Sequence, residues 1–172
     1  MKHHAGLPAR RQPSAMKRLY ILFILIFLTA TVVFAGQRQP VRPTMKDKCS
    51  VCGMFVAKYS DFVAEILFKN GSYAVFDGAK DMFKYFFNIK KYNPMMDKEN
   101  IEAIYVTDYY SLNLIDGQKA YYVLGSNIYG PMGKELIPFE KESDATVFMK
   151  DHQGKSILRF HEVKYDIVKN LD

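Results

Sequence analysis

The sequence predicts an α+β fold built from two small halves, each with the element order strand, strand, helix, strand, and with a groove between the halves. Hydrophobic residues make up 49% of the 172-residue chain and aromatic residues 15%, which is enough to bury a core. Strand-like and helix-like stretches follow one another in the same order twice, at 62–106 and at 119–160. The sequence identity between the halves is weak, so the repeat is one of element pattern, which either homology or coincidence explains.

The first half opens with a predicted hairpin and continues into a helix. In order, it contains a strand at 62–68, a turn at Asn70-Gly71, a strand at 72–76, a helix at about 78–87 and a strand at 101–106. Asn-Gly between two apolar stretches is typical of a tight hairpin turn. Asp77 is placed to cap the helix, since a short carboxylate accepts the free N–H groups of a first helical turn.

The second half repeats this order of elements. In order, it contains strands at 119–124 and 136–139, a helix that begins at Ser143 or Asp144, and a strand at 157–160. Gly154 is predicted to end the helix. A turn is predicted between the first two strands, at Gly130-Pro131-Met132-Gly133.

Residues 1–35 are predicted to direct the chain out of the cytoplasm. Met16-Lys17-Arg18 is followed by 17 uncharged and mostly apolar residues, and Val33 and Ala35 suit cleavage by a signal peptidase before Gly36. An uncleaved membrane anchor is the alternative, and the basic residues keep the N-terminus cytoplasmic in either case. The body lies outside the cytoplasm in both interpretations.

The remaining boundaries follow from composition. Residues 36–47 are polar, contain two prolines and are predicted to form a tether. The two halves are assigned to 48–110 and 111–165, and 166–172 is assigned as a tail.

The formal charge of +6 does not indicate a nucleic-acid-binding protein. Five basic residues and no acidic residue precede Gly36, which leaves 19 basic against 18 acidic residues in the rest of the chain. A basic surface stripe, which binding to a polyanion requires, is therefore not predicted.

Cys49 and Cys52 are the only cysteines, and they form one C-x-x-C pair. A disulfide is one interpretation, although closing so short a loop contributes little stability. A redox pair is another, but residues 53–57 are predicted to turn into a strand, so no helix follows Cys49 to lower its pKa. Structural zinc needs four donors, and the chain has no second pair.

Monovalent copper fits these residues better. Cu(I) prefers thiolate and thioether sulfur and is satisfied by two or three ligands. Met54 follows Cys52 across a glycine, and Met132 lies in the predicted turn of the second half, outside a regular core. Met82 and Met149 are predicted to fill the core instead, because they lie at helical spacing with aromatic residues.

Four stretches together form a recognisable pattern: KCSVCGM at 48–54, AEI at 64–66, FDG at 76–78 and PMGKELIPF at 131–139. With these stretches the chain resembles the NosL family of nitrous oxide reductase accessory proteins over about residues 45–162. This resemblance implies two homologous α+β halves, similar in fold to organomercurial lyase. It also implies an exported Cu(I)-binding protein that serves copper-site assembly in periplasmic nitrous oxide reductase.

The resemblance implies a set of copper ligands. Cys52, Met54 and Met132 match the metal-binding positions of the family, and Cys49 matches its other motif cysteine. A histidine is expected to complete the coordination, for which we choose His161 over His152. Many members are lipoproteins with a cysteine at the cleavage site, whereas no cysteine precedes Cys49 here.

The leading functional prediction is a periplasmic metallochaperone, not an enzyme, which receives Cu(I) from an upstream donor and gives it to the client. Membrane contact is expected only through an uncleaved anchor. The alternatives are a thiol-disulfide oxidoreductase, a lyase-like enzyme that acts on a soft metal or organometal, and a purely structural module. Asp77, Asp108 and the Tyr109-Tyr110 pair are candidates for the surroundings of the metal or for a docking surface, as well as for a helix cap and strand-end surface.

Overall fold

A computed structural model of the protein describes residues 38–172, so the predicted signal or anchor segment lies outside the described residues. Seven strands are present in this part: β1 (Ala64–Phe68), β2 (Tyr73–Phe76), β3 (Ile101–Thr107), β4 (Leu114–Asp116), β5 (Tyr121–Gly130), β6 (Gly133–Phe139) and β7 (Ser156–Arg159). Four α-helices accompany them: α1 (Ala79–Phe87), α2 (Ile89–Tyr92), α3 (Glu142–Asp151) and α4 (Tyr165–Lys169). Short 3-10 helices lie at Val56–Phe62, Lys98–Asn100 and Phe160–Glu162. Within residues 38–172, no helix has both the length and the apolar character needed to cross a membrane.

The first sheet has the antiparallel order β2-β1-β3-β4. Every residue of β1 is buried, as expected for a central strand covered on both faces. The predicted hairpin turn is confirmed: Gly71 has φ 90°, and the Asn70 side chain accepts the backbone N–H of Ser72 at 3.0 Å. Only glycine adopts that backbone conformation without strain.

The second sheet has the antiparallel order β6-β5-β7. β5 and β6 form a hairpin in which Gly130 pairs with Gly133, so Pro131 and Met132 alone make its tip. The predicted turn at this place is confirmed. Each sheet contains the three strands of one strand, strand, helix, strand series. In both sheets the first strand of the series lies in the middle and pairs with the other two, β1 with β2 and β3, and β5 with β6 and β7. The α+β class is confirmed, and the homology of the halves stays a prediction.

One large apolar core joins the two sheets. α1 packs against β1 and β2 of the first sheet, against β6 of the second sheet and against α4. The ring of Phe83 on α1 meets Tyr122 on β5, with 5.1 Å between the centroids, and both side chains are fully buried. α1 therefore lies in contact with both sheets, where the sequence predicted a groove between halves.

Two predicted boundaries and one predicted strand differ from the structure. β4 follows residue 110 yet pairs with β3, so the first sheet extends into the predicted second half. Residues 166–172 are not a free tail, because Val168 and Leu171 are buried in the main core. A 3-10 helix, not a strand, follows residues 53–55.

The predicted tether also differs, because residues 38–41 lie against the first sheet. The backbone N–H of Val41 donates to Glu65 Oε2 at 2.8 Å, and Arg38 Nη2 donates to the carbonyl of Gly71 at 2.8 Å. Tyr105 donates its hydroxyl to the carbonyl of Arg38 at 2.6 Å. Glu65 is a fully buried carboxylate in the centre of the sheet, and such a group requires a donor.

Candidate metal centre

The C-x-x-C pair lies in a tight loop between Lys48 and Phe55, which form an isolated antiparallel bridge. Inside the loop, the N–H of Cys49 donates to the carbonyl of Met54 at 2.8 Å, and the N–H of Gly53 donates to the carbonyl of Cys49 at 3.0 Å. Gly53 has φ 79°, a conformation that permits the reversal of the chain. The loop thus brings both thiols to one side.

A long-range bond attaches this loop to the first sheet. The N–H of Ser50 donates to the carbonyl of Val75 on β2 at 3.0 Å. β2 leads directly into Asp77 and then into α1, whose first turn contains Asp81. The loop is therefore fixed against the N-terminal end of α1.

Four side chains meet at this junction, and we call them the thiol-carboxylate group: Cys49, Cys52, Asp77 and Asp81. One ligand atom from each lies within 4.8 Å of the others. Cys49 Sγ lies 3.4 Å from Asp81 Oδ2, and Cys52 Sγ lies 3.4 Å from Asp77 Oδ2. Both thiols are free.

The sequence prediction found the two cysteines but assigned the carboxylates differently. The helix cap predicted for Asp77 is wrong, because Gly78 is the N-cap residue of α1 and has no side chain with which to cap it. The carboxylate of Asp77 faces Cys52 instead. Asp81 was not singled out, and because Asp77 precedes the N-cap residue of α1, helical spacing alone does not predict that both carboxylates meet the thiols.

Burial keeps both thiols protonated when no metal ion is bound. It raises the pKa of Cys52 to about 11, with the carboxylate of Asp77 adding to the rise. It raises the pKa of Cys49 further, since that side chain is only 4% exposed. Both cysteines are therefore thiols at neutral pH, able to donate to the neighbouring carboxylates.

These pKa values bear on the redox interpretation. The N-terminus of α1 does lie beside the thiols, contrary to the expectation that no helix approaches them. However, the carboxylates of Asp77 and Asp81 belong to that end of α1 and face the sulfur atoms. A catalytic redox thiol needs a lowered pKa, and the pKa of each thiol here is raised.

The two predicted methionine ligands occupy different elements. Met54 is half-buried and closes the cysteine loop through its carbonyl. Met132 is 44% exposed at the tip of the β5-β6 hairpin. Its carbonyl accepts a bond of 2.7 Å from Lys80 Nζ, and Lys80 lies on α1 next to Asp81. The hairpin tip is thus fastened to the helix that borders the thiols.

The remaining candidates lie apart from the thiol-carboxylate group. His161 is exposed in the 3-10 helix after β7 and is not a member of the group. His152 approaches Asn127 and packs on Phe148. Asp108 accepts backbone N–H groups from three residues, among them Ser111 and Glu140, which is a structural role.

Tyr109 and Tyr110 belong to a second aromatic cluster. Both rings contact Phe139 and Phe148 in the small core of the second sheet. The two tyrosines therefore lie in the core of the second sheet and do not surround the thiols. Tyr110 remains 48% exposed at the surface.

The donor set suits a soft metal ion. Two thiol sulfurs converge, and thiolate is the ligand that Cu(I) prefers. Asp77 Oδ1 is buried without a hydrogen-bond partner among residues 38–172. An orphaned oxygen beside two thiols is a feature that a bound cation or its ligands would satisfy.

The chain is similar in sequence and in fold to proteins of one known family. The sequence model of the NosL family matches residues 40–168. The copper-binding lipoprotein NosL of Stutzerimonas stutzeri is 26% identical over 155 residues, which are 81% of this chain and 77% of that protein. The crystal structure of the copper chaperone NosL from Shewanella denitrificans superposes with a TM-score of 0.64 at 22% identity. That match covers 76% of this chain and 99% of the other, and it establishes the fold.

Proposed function

The chain belongs to the NosL family, and from this premise we propose that it is an exported metallochaperone that holds Cu(I) and supplies it for metal-site assembly in nitrous oxide reductase. The relatives are named a copper chaperone and a copper-binding lipoprotein. The observation that carries the proposal is the place of Cys52, which is half-buried in a tight loop beside Cys49 and two residues before Met54. The proposed role is binding and delivery, with no chemical turnover.

The oxidation state follows from the chemistry of the donors. Thiolate together with thioether sulfur favours Cu(I), which two or three ligands satisfy, whereas structural Zn²⁺ needs four donors. In this proposal Cys52 and Met54 bind the ion from the loop, and Met132 binds it from the hairpin tip. A site with few ligands suits transfer, because an incoming sulfur can bind before an outgoing one leaves.

Cys52 ranks above Cys49 as the principal ligand. Cys49 is 4% exposed, while Cys52 is half-buried and has the smaller rise in pKa. An ion that must pass to another protein needs a ligand that a partner can approach. Cys49 then acts mainly as a neighbour that shapes the loop, and His161 is the weakest member of the proposed set.

The proposed location of the protein rests on residues 1–35, which lie outside the described residues. An apolar segment behind basic residues supports export to the periplasm, either free or held by that segment as an anchor. The proposed partners are the client enzyme and an upstream copper donor. The nearly balanced charge of the body gives no support to a nucleic-acid partner.

An anaerobic Cu(I) titration against a chromogenic Cu(I) chelator tests the proposal. We expect tight equimolar binding that is weakened more than about tenfold by Cys52→Ser and by Met132→Leu. Cys49→Ser is expected to retain most of the affinity. Met95→Leu is the matched control, since Met95 is 83% exposed and lies outside the proposed ligand set. Unchanged affinity in Cys52→Ser would contradict the proposal.

The alternative is an enzyme that uses the cysteine pair, either a thiol-disulfide oxidoreductase or a lyase-like protein acting on a soft metal or organometal. Copper-independent disulfide reduction with turnover would favour it over the chaperone. If the chain is a purely structural module, both cysteine variants change stability and nothing else.

The client is tested separately, by deleting the gene in its organism and measuring the copper content of nitrous oxide reductase. A fully loaded enzyme in the deletion strain would exclude it as the client.

A further inference from the structure

The hairpin tip that carries Met132 is short and stands at the surface. Only Pro131 and Met132 connect the paired residues Gly130 and Gly133, and the Met132 side chain is 44% exposed. Exposed loop tips are the most mobile parts of a fold unless other contacts hold them. A flexible tip would present a thioether at many positions, so a copper ligand here requires an anchor.

Lys80 supplies a contact of that kind. It lies in the first turn of α1 and is 1% exposed, although it carries an ammonium group. Its Nζ donates to the carbonyl of Met132 at 2.7 Å and to the carbonyl of Leu171 at 3.4 Å. Asp172 Oδ1 lies 3.6 Å from the same nitrogen. Burying an ammonium group without hydrogen-bond acceptors costs a large amount of free energy. The contacts of Lys80 with these oxygens are therefore strongly favoured in the folded chain.

Glu135, three residues after Met132, fastens the same hairpin to the same helix. It is buried on β6, and its Oε1 accepts the backbone N–H of Lys80 at 2.5 Å and that of Leu136 at 2.9 Å. Its carboxylate lies over Gly78: a Cβ added there would lie 2.1 Å from Oε2. The helix start and the hairpin therefore fit together closely.

These contacts couple the hairpin to the thiols. Asp81 adjoins Lys80 on α1, and its carboxylate lies 3.4 Å from Cys49 Sγ. One turn of helix thus contacts the thiol pair through its aspartate and the tip of the hairpin through its lysine. The two parts of the chain that provide sulfur meet at this turn.

We propose that Lys80 is a positioning residue for copper binding: its ammonium holds the backbone of Met132 so that the thioether faces the cysteine loop. The inference rests on the proposed function, in which Met132 is a ligand of Cu(I). Glu135 assists by setting the distance between β6 and the start of α1. Lys80 itself does not contact the ion.

The test combines a copper-free measurement with a double-mutant cycle. Lys80→Leu replaces the ammonium with an apolar side chain that contains no sulfur, so the variant adds no new copper ligand. In the copper-free protein, methyl NMR of labelled methionine is expected to show greater motion of Met132 than in the wild type. Cu(I) affinity, measured by chelator competition, is expected to fall roughly tenfold, within the range of coupling found between contacting residues.

Met132→Leu decides whether the effect passes through the thioether. In that background, Lys80→Leu is expected to cause no further loss of affinity. Lys80→Gln, which keeps an N–H donor, is expected to retain more affinity than Lys80→Leu, and it replaces that variant in the cycle if Lys80→Leu does not fold. Asp172→Ala removes the ion pair but leaves the bond to Met132, and it is expected to keep wild-type affinity.

The possible failures are distinguishable. Full affinity in Lys80→Leu with a mobile Met132 would overturn the inference and leave the proposed function intact. An equal loss in both backgrounds would overturn it as well, because Lys80 would then act on the whole fold. No loss in Met132→Leu alone would remove Met132 from the ligand set, and the inference would fall with that part of the proposed function.

Discussion

The carboxylate of Asp77 lies against the thiol of Cys52, with 3.4 Å between Oδ2 and Sγ. This contact stabilises the protonated sulfur, since the carboxylate accepts the thiol proton and its negative charge disfavours a thiolate. The more accessible cysteine of the pair is therefore held unreactive in the copper-free protein.

Asp77→Asn is expected to lower the pKa of Cys52 from about 11 in the wild type, because the substitution removes the neighbouring negative charge. The rate of alkylation by iodoacetamide as a function of pH measures this change for each variant. We expect the midpoint of the Cys52 profile to move to lower pH in Asp77→Asn. Asp61→Asn, at an exposed carboxylate bonded to Ser60, is the control and is expected to leave the profile unchanged. A midpoint that moves upward would contradict the assignment.

Gly78→Ala is expected to destabilise the fold by about 1–3 kcal/mol, because the new methyl group enters a filled space. That methyl would lie 2.1 Å from Glu135 Oε2. Urea unfolding measures the loss of free energy. In a Glu135→Ala background the methyl has room, so the same substitution is expected to cost less. Strictly additive losses would show that the two residues do not share this space.

Glu65 is expected to make the protein less stable as pH rises through neutrality. Burial raises the pKa of Glu65 from 4.5 to about 7, so between these values the folded chain binds more protons at this site than the unfolded chain. Stability then falls with increasing pH across that window and levels off above it. Burial raises the pKa of Glu135 to about 8, which adds a loss of the same sign.

Glu65→Gln tests this expectation, since the amide stays neutral at every pH of interest. Urea unfolding at about pH 5 and about pH 8 is expected to show a smaller loss of stability in the variant than in the wild type. Glu99→Gln, at an exposed glutamate, is the control and is expected to behave like the wild type. Equal pH dependence in Glu65→Gln and the wild type would show that Glu65 ionises normally.

Leu112 occupies the left-handed region with φ 58°, although it is not a glycine. This conformation costs an ordinary residue about 1–2 kcal/mol, and asparagine adopts it more readily. The side chain is 56% exposed, so its replacement sacrifices little burial. Leu112→Asn is expected to raise the free energy of unfolding by up to about 1 kcal/mol, and Leu112→Val to lower it. The reverse order in urea unfolding would contradict this account.

Local features of the fold could be predicted from the sequence. The turns at Asn70-Gly71 and at Pro131-Met132 depend on residues that are adjacent in the chain, and both predictions are confirmed. The cysteine pair was likewise visible as a pattern. β4 was missed because three residues carry too little periodicity, and its pairing with β3 is what makes it a strand.

Long-range contacts account for what could not be predicted. Asp81 joins the thiols only because the cysteine loop bonds to β2 through Ser50, and nothing in the local sequence announces that bond. The attachment of residues 38–41 depends in the same way on Glu65, whose burial is a property of the assembled sheet. A polar stretch with prolines has the composition of a free tether wherever it lies.

The bond between Ser50 and Val75 has a consequence for self-association. β2 is an edge strand of the first sheet, and the unpaired carbonyls of such an edge can accept a strand from a second molecule. The cysteine loop covers part of this edge. We expect that conditions that displace the loop also expose β2. Loss of copper binding and the onset of aggregation, measured by light scattering, should therefore occur together.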